Sequence, residues 1–323
     1  MNIFRTVCAL AASLAFLFSA LEAYAQYPAK PVRLLVPFPP GGGTDAMART
    51  LAPKLSEGLG QQVVIDNRGG AGATIGTDIA AKSPPDGYTL FLMTVTNAVG
   101  MGLYPNLKYD LVRDFAPVTR LATTPHVVVV HPSVPAQTVK ELVALAKARP
   151  GQLVYSSSGA GTVSHLAGEY FAHLTGTKLL HVPYKGGGPS VTALMGGEVA
   201  AGFATMPSVI GQIRAGRLRA IAMTTAQPSA GLPGVTTVQD AGIANYDVGS
   251  WYGLSVPTGT SKDIISRLHA ETLKVLALAD VKERLAHGGF EIVTSSPEQY
   301  GEFVRTEVER WAKVVKMSGA KAE

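Results

Sequence analysis

A run of apolar, β-branched residues, Val32–Val36, ends in Pro37-Phe38-Pro39-Pro40-Gly41-Gly42-Gly43-Thr44-Asp45 and feeds a helical pattern. Backbone N–H groups at such a helix start have no intrahelical acceptor and carry the positive end of the helix dipole, so this turn is suited to an anion. Three further glycine-rich turns stand between a strand and a helix: Arg68–Thr74, Ser156–Thr162 and Tyr184–Ser190. One such turn is weak evidence, because glycine is the ordinary residue for positive φ. Four of them, in both halves of the chain, predict a cleft with N–H donors on opposing walls, outside the carboxyl ends of the strands.

Other chemistries fit these residues less well. Ser157 or Ser158 with His165 would supply a nucleophile and a base, but no G-x-S-x-G elbow is present and no acid is placed to orient His165. No G-x-x-x-x-G-K-[ST] occurs, and Gly70–Gly76 is one residue longer than a dinucleotide fingerprint, with Met93 and Thr94 where an acid should end the next strand. The 7 histidines include no H-E-x-x-H, and the only cysteine is Cys8. We therefore expect no catalytic residue, cofactor, disulfide or metal. Asp45 has two readings: a charge that complements the helix dipole, or an acceptor for a ligand hydroxyl, amine or water. Thr44 and Thr162 are predicted N-caps. Lys185 is the one cation inside a turn (Arg68 precedes one), either solvated or paired with the ligand. Trp251 and Tyr252 are hinge packing or cleft wall.

The elements that position these turns follow from periodicity. Val32–Pro37, Gln62–Asp66 and Tyr88–Thr94 read as strands, separated by helices with Met47, Leu51, Leu55 and Leu59 as one apolar stripe and Gly70–Lys82 as a second element. This βαβαβ unit predicts a parallel sheet with right-handed crossovers. Val95–Phe115 reads as irregular. A second round runs from Leu153 to Thr224, preceded by a capping box at Thr138 and Glu141. Helices follow at Lys262–Leu278, Asp280–His287 and Pro297–Met317. Extended segments at Val118–Val130 and Asp247–Val256 are the candidate crossovers between two lobes.

The first 25 residues read as a cleaved signal peptide, with a basic start, an apolar run of about 15 residues, short of the roughly 20 needed to span a bilayer, and an Ala23-Tyr24-Ala25 cleavage site. The formal net charge is +5 and the pI about 9.2. The charges are scattered, with no basic block of the kind that binds nucleic acid.

At these residues the chain resembles the substrate-binding proteins of tripartite tricarboxylate transporters, the Bug or TctC family. The Pro37–Asp45 loop is similar to that family's P-F-x-x-G-G-x-x-D motif. The likeness continues through Asp66–Gly72, Pro85–Leu90, Tyr109–Asp110, Asp114–Val118, Ser157–Glu169, Val182–Gly187 and Trp251–Leu254. It implies an α/β, two-lobed periplasmic-binding-protein fold (type II, Venus flytrap) with a ligand cleft between the lobes. The expected division is a signal peptide at 1–25, a first lobe at 26–125, a second at 126–250 and a helix-rich return to the first at 251–323. The resemblance also implies ligand contacts from Phe38, Gly42, Gly43, Thr44 and Asp45 on one side and Ser157, Ser158, Gly161, Thr162 and His165 on the other. Thr94–Gly100 departs from the family's usual T-x-x-x-H-A run, which makes Thr94 and Thr96 readers of the distal part of the ligand; Lys185 completes the set. The implied protein is a periplasmic monomer that captures a small carboxylate (a di- or tricarboxylate, an amino acid or an aromatic acid) for large and small membrane subunits of a transporter. An exported serine hydrolase acting on an acyl ester and a ligand-binding subunit of a signalling system are the alternatives.

Overall fold

The computed structural model describes residues 27–320. The expected signal peptide and Cys8 lie outside the described residues. Among those residues no helix is long and apolar enough to cross a membrane.

The first half opens with β1 (Val32–Val36), α1 (Gly43–Leu59), β2 (Val63–Asn67), α2 (Thr74–Ala81), β3 (Thr89–Thr94) and α3 (Val95–Leu103). β1 pairs parallel with β2 and β3, as the βαβαβ pattern requires. The helix α3 replaces the irregular stretch expected from Val95 onward. Its start is set by Asn97, whose Oδ1 accepts from the Thr94 N–H at 2.7 Å and from the Thr94 hydroxyl at 3.1 Å. A run of glycine and valine hides that start, because the cap supplies what propensity lacks.

β4 (Phe115–Val130) is one 16-residue strand that contains the expected extended segment Val118–Val130. Its first part, Phe115–Pro125, pairs antiparallel with β9 (Gly249–Pro257), which in turn pairs antiparallel with β3. Its last part, His126–Val130, pairs antiparallel with β7 (Ala201–Thr205) and, from Val127, with β8 (Arg219–Met223). The strand order is β2-β1-β3-β9-β4-β7-β5-β6, so a single strand joins two half-sheets. The parallel sheet expected from sequence thus acquires an antiparallel centre. The second half-sheet repeats the parallel grammar: β5 (Val154–Ser157) lies between β6 (Leu180–Pro183) and β7.

Helices α4 (Val139–Ala148), α5 (Val163–Thr175), α6 (Gly187–Met195) and α7 (Met206–Arg214) belong to this second round, α4 carrying the Thr138–Glu141 capping box. The second crossing runs beside the first, with the Thr224 N–H donating to His126 O at 3.0 Å and Val248 N–H to Thr224 O at 2.9 Å. After β9 come α8 (Lys262–Ala277), α9 (Ala279–His287), β10 (Glu291–Ile292) and α10 (Pro297–Ser318). α8 and α9 pack with α1 over β1 in one apolar cluster, and α10 shares another with α3 and α5. Trp251 is held there by Glu307, which accepts from the indoles of Trp251 (2.7 Å) and Trp311 (3.0 Å).

Candidate functional site

A cavity of about 50 Å³ lies between the two half-sheets, where the carboxyl ends of β1, β3, β5 and β7 meet the starts of helices. α1 contributes Gly42, Gly43 and Thr44; α3 contributes Thr94, Val95 and Thr96; α5 contributes Val163 and Ser164. α6 contributes Gly187, and α7 contributes its N-cap residue Thr205 and Ser208. Five helix N-termini therefore converge on one small space. No side-chain cap satisfies the first turns of α1, α6 and α7, whose N-cap residues are Gly42, Gly186 and Thr205. No Asp, Glu, Lys or Arg lines the cavity. Hydroxyls predominate on the wall, joined by His126 and by the apolar Phe38, Val95, Val163, Phe203 and Ala204.

The loop before α1 keeps its shape through Asp45. The Gly41 N–H donates to Asp45 Oδ2 at 3.0 Å, Arg49 Nε donates to the same oxygen at 2.7 Å, and Asn67 Nδ2 donates to Oδ1 at 3.2 Å. Asn67 also donates to Phe38 O at 2.9 Å, which ties the end of β2 to the loop. Burial opposes the charge, but the bonds from Arg49, Gly41 and Asn67 outweigh it and hold the carboxyl below its ordinary range. Both oxygens are engaged within the protein, and Asp45 is not among the cavity-lining residues. The helix starts at Gly43 with Gly42 as its N-cap, so Thr44 is not the cap; its position two residues into the helix puts it on the cavity wall.

The two halves touch around this space. A Cβ on Gly43 would stand 2.9 Å from the Tyr252 hydroxyl and 3.1 Å from Thr205 Oγ1, and one on Gly42 would stand 3.9 Å from the Gly187 nitrogen. Gly161, at φ +74°, faces the Tyr104 hydroxyl. A side chain at Gly43 or Gly161 would force its neighbours to shift, whereas Gly42 stands at ordinary contact distance.

On the opposite wall, Ser157 and Ser158 line the cavity, whereas Gly161, Thr162, His165 and Lys185 do not. Lys185 is exposed. Thr162 is the N-cap residue of α5, but its hydroxyl donates to Gly159 O at 2.7 Å and meets Ser164 Oγ at 2.9 Å, shaping the loop instead of capping the helix. His165 Nδ1 accepts from the Gly161 N–H at 3.2 Å. Its ring stacks on His181 with centroids 4.0 Å apart, and it is His181 Nε2 that meets Ser157 Oγ at 2.7 Å. Burial and the neighbouring His165 push the His181 pKa down to about 3. Such a weak base does little to activate a serine at neutral pH.

Sequence reasoning missed His126, Ser156, Ser190, Thr205, Ser208 and Ser250, all on the cavity wall. Thr205-Met206-Pro207-Ser208 follows a strand and opens a helix as the glycine turns do, so strand-to-helix position was the available signal. Ser250 and Tyr252 alternate along β9 and share the cavity face, while Trp251 between them points to Glu307. Tyr252 is thus cleft wall and Trp251 is packing.

The model of the tripartite tricarboxylate transporter family receptor (TctC) matches residues 47–320. The chain is 41% identical over 297 residues to protein BugT of Bordetella pertussis, covering 91% of each. Among solved structures, an R. palustris protein with adipate superposes with a TM-score of 0.87 at 35% identity, over 91% of this chain and 99% of that one. MatC from Rhodopseudomonas palustris, with bound malate, superposes at 0.86 and 29% identity, over 90% of this chain and 100% of that one.

Proposed function

Because this chain belongs to the family of tripartite tricarboxylate transporter receptors, which are substrate-binding proteins and not enzymes, we propose that it captures a small carboxylate in the periplasm and delivers it to the membrane subunits of such a transporter. The observation that carries the carboxylate reading is the convergence of five helix N-termini on a cavity without charged side chains. Each helix start favours a negative group by about 0.3–1 kcal/mol, and up to about 2 when partly buried. A carboxylate also accepts from the open first-turn N–H groups and from hydroxyls, bonds worth about 1.5–3 kcal/mol each when the partner is charged. A cation would meet the positive ends of the same dipoles. A neutral sugar would leave them uncompensated.

In this reading Phe38, Gly42, Gly43, Thr44, Thr94, Thr96, Ser157 and Ser158 contact the ligand, and Asp45, Thr162 and His165 hold those residues in place. The bound ligands of the two neighbouring structures, adipate and malate, support the choice of acid. The test is a thermal-shift screen of the mature protein against mono-, di- and tricarboxylates, amino acids, sugars and divalent cations. A carboxylate present at 100 times its Kd adds about 2.7 kcal/mol of stability. A shift with a sugar or a cation, and with no carboxylate, would sink the proposal.

A further inference from the structure

The back wall of the cavity carries a polarity that the helix starts do not. His126 is completely buried where β4 passes from one half-sheet to the other, and it lines the cavity with Ser250 of β9. Its Nδ1 stands 3.1 Å from Phe203 O. A carbonyl oxygen only accepts, so Nδ1 carries the proton. Burial pushes the His126 pKa down to about 4, which leaves the ring neutral at periplasmic pH. A neutral imidazole protonated on Nδ1 has a bare Nε2. That nitrogen stands 2.7 Å from Ser250 Oγ, so the Ser250 hydroxyl must donate to it.

A serine hydroxyl has one proton and two lone pairs. With its proton committed to His126, Ser250 offers only lone pairs. Ser250 lies on the cavity wall, so such an acceptor faces whatever occupies the cavity. An acceptor there repels a carboxylate oxygen and calls for a donor. Two kinds of donor fit on a small acid, an ammonium and a hydroxyl. No Asp or Glu lines the cavity, so an ammonium would sit among helix N-termini with no counter-charge and pay the cost of an unpaired buried ion. A hydroxyl pays no such cost.

We propose that Ser250, held as an acceptor by His126, selects a hydroxy-substituted carboxylate, with the acid group toward the helix starts and the hydroxyl donating to Ser250 Oγ. This rests on the carboxylate reading above and narrows it. Ser250 would then be a specificity-determining residue and His126 a positioning residue that acts through it.

The test uses three matched pairs that differ by one hydroxyl: malate and succinate, lactate and propionate, 3-hydroxybenzoate and benzoate, with aspartate as the amine control. Affinities are measured by calorimetry for the wild type and Ser250→Ala, both checked for an unchanged melting temperature. The wild type should prefer the hydroxylated member of at least one pair about tenfold, as one neutral hydrogen bond allows. Ser250→Ala should lose that preference and keep its affinity for the deoxy member within about twofold. Ser250→Thr, which retains the hydroxyl, should restore the preference. Equal loss for both members of a pair would make Ser250 mere scaffold and overturn the proposal, as would a deoxy acid or aspartate binding the wild type best. In those cases the carboxylate reading survives. If no acid in the set binds, both fall.

Discussion

At the scale of single residues, Asp45 shows how a carboxylate serves an anion site without touching the anion. Its oxygens gather Gly41, Arg49 and Asn67, and the loop so fixed leads into the helix start where Gly43 and Thr44 line the cavity. Asp45→Asn replaces one acceptor by a donor facing other donors. We expect a loss of about 1–3 kcal/mol in urea unfolding at pH 7, together with weaker binding of whichever acid the screen identifies. The pH dependence has a definite sign. The folded carboxyl titrates below its ordinary value, so the wild type's advantage is complete above about pH 4 and fades as pH falls through the folded pKa. An advantage that stayed constant as pH falls below 4 would mean that the charge is irrelevant.

At the scale of elements, the recurring unit is a strand, a short turn and a helix start, used on both sides of the cavity. Gly43 is the tightest example: its missing Cβ admits the Tyr252 hydroxyl and Thr205 Oγ1. Gly43→Val should weaken ligand binding at least tenfold by calorimetry, because it wedges the two walls apart. Overpacking at this seam should also cost the ligand-free protein about 1–3 kcal/mol of stability, read as a lowered melting temperature of a still folded protein. Unfolding, or an undiminished affinity, would contradict this account.

The same unit explains what sequence could and could not foretell. Apolar periodicity and glycine punctuation located most strands and helices, and of the residues that the family resemblance implied, Phe38, Gly42–Thr44, Ser157 and Ser158 line the cavity. Ser250 and His126 escaped because they lie within strands. What puts them on the cavity wall is the antiparallel pairing of β4 with β9 and β7, a long-range register that no local pattern encodes. The pairing of Ser157 with His181 in place of His165 is likewise a matter of neighbouring strands: β5 sets Ser157 against Pro183, two residues from His181 on β6.

For the whole molecule, one buried and one half-buried histidine make stability depend on acid. Burial holds the His126 pKa near 4, and burial with the neighbouring His165 holds His181 near 3, against an ordinary value of 6.5. Below pH 6.5 the unfolded chain takes up protons that the folded chain refuses. Stability is therefore full above that pH and falls as the medium is acidified toward pH 3–4, by on the order of 1–3 kcal/mol for each histidine. Urea midpoints at pH 7 and pH 4 measure the loss. His181→Gln should be less stable at pH 7 and lose less on acidification; an identical slope for the variant and the wild type would remove His181 from the explanation.

The continuity of β4 has a further consequence, one of amide exchange with solvent. Val127–Val130 are buried and hydrogen-bonded to β7 on one edge and β8 on the other. Phe115–Pro125, on the same strand, is zipped to β9. Amides in such a ladder surrender their protons only when the fold as a whole opens. The segment linking the half-sheets should thus be among the last to take up deuterium, and the surface loops around the cavity among the first. Any motion of one half against the other must then be a twist carried through intact hydrogen bonds, leaving the backbone at the pivot the most securely closed part of the chain.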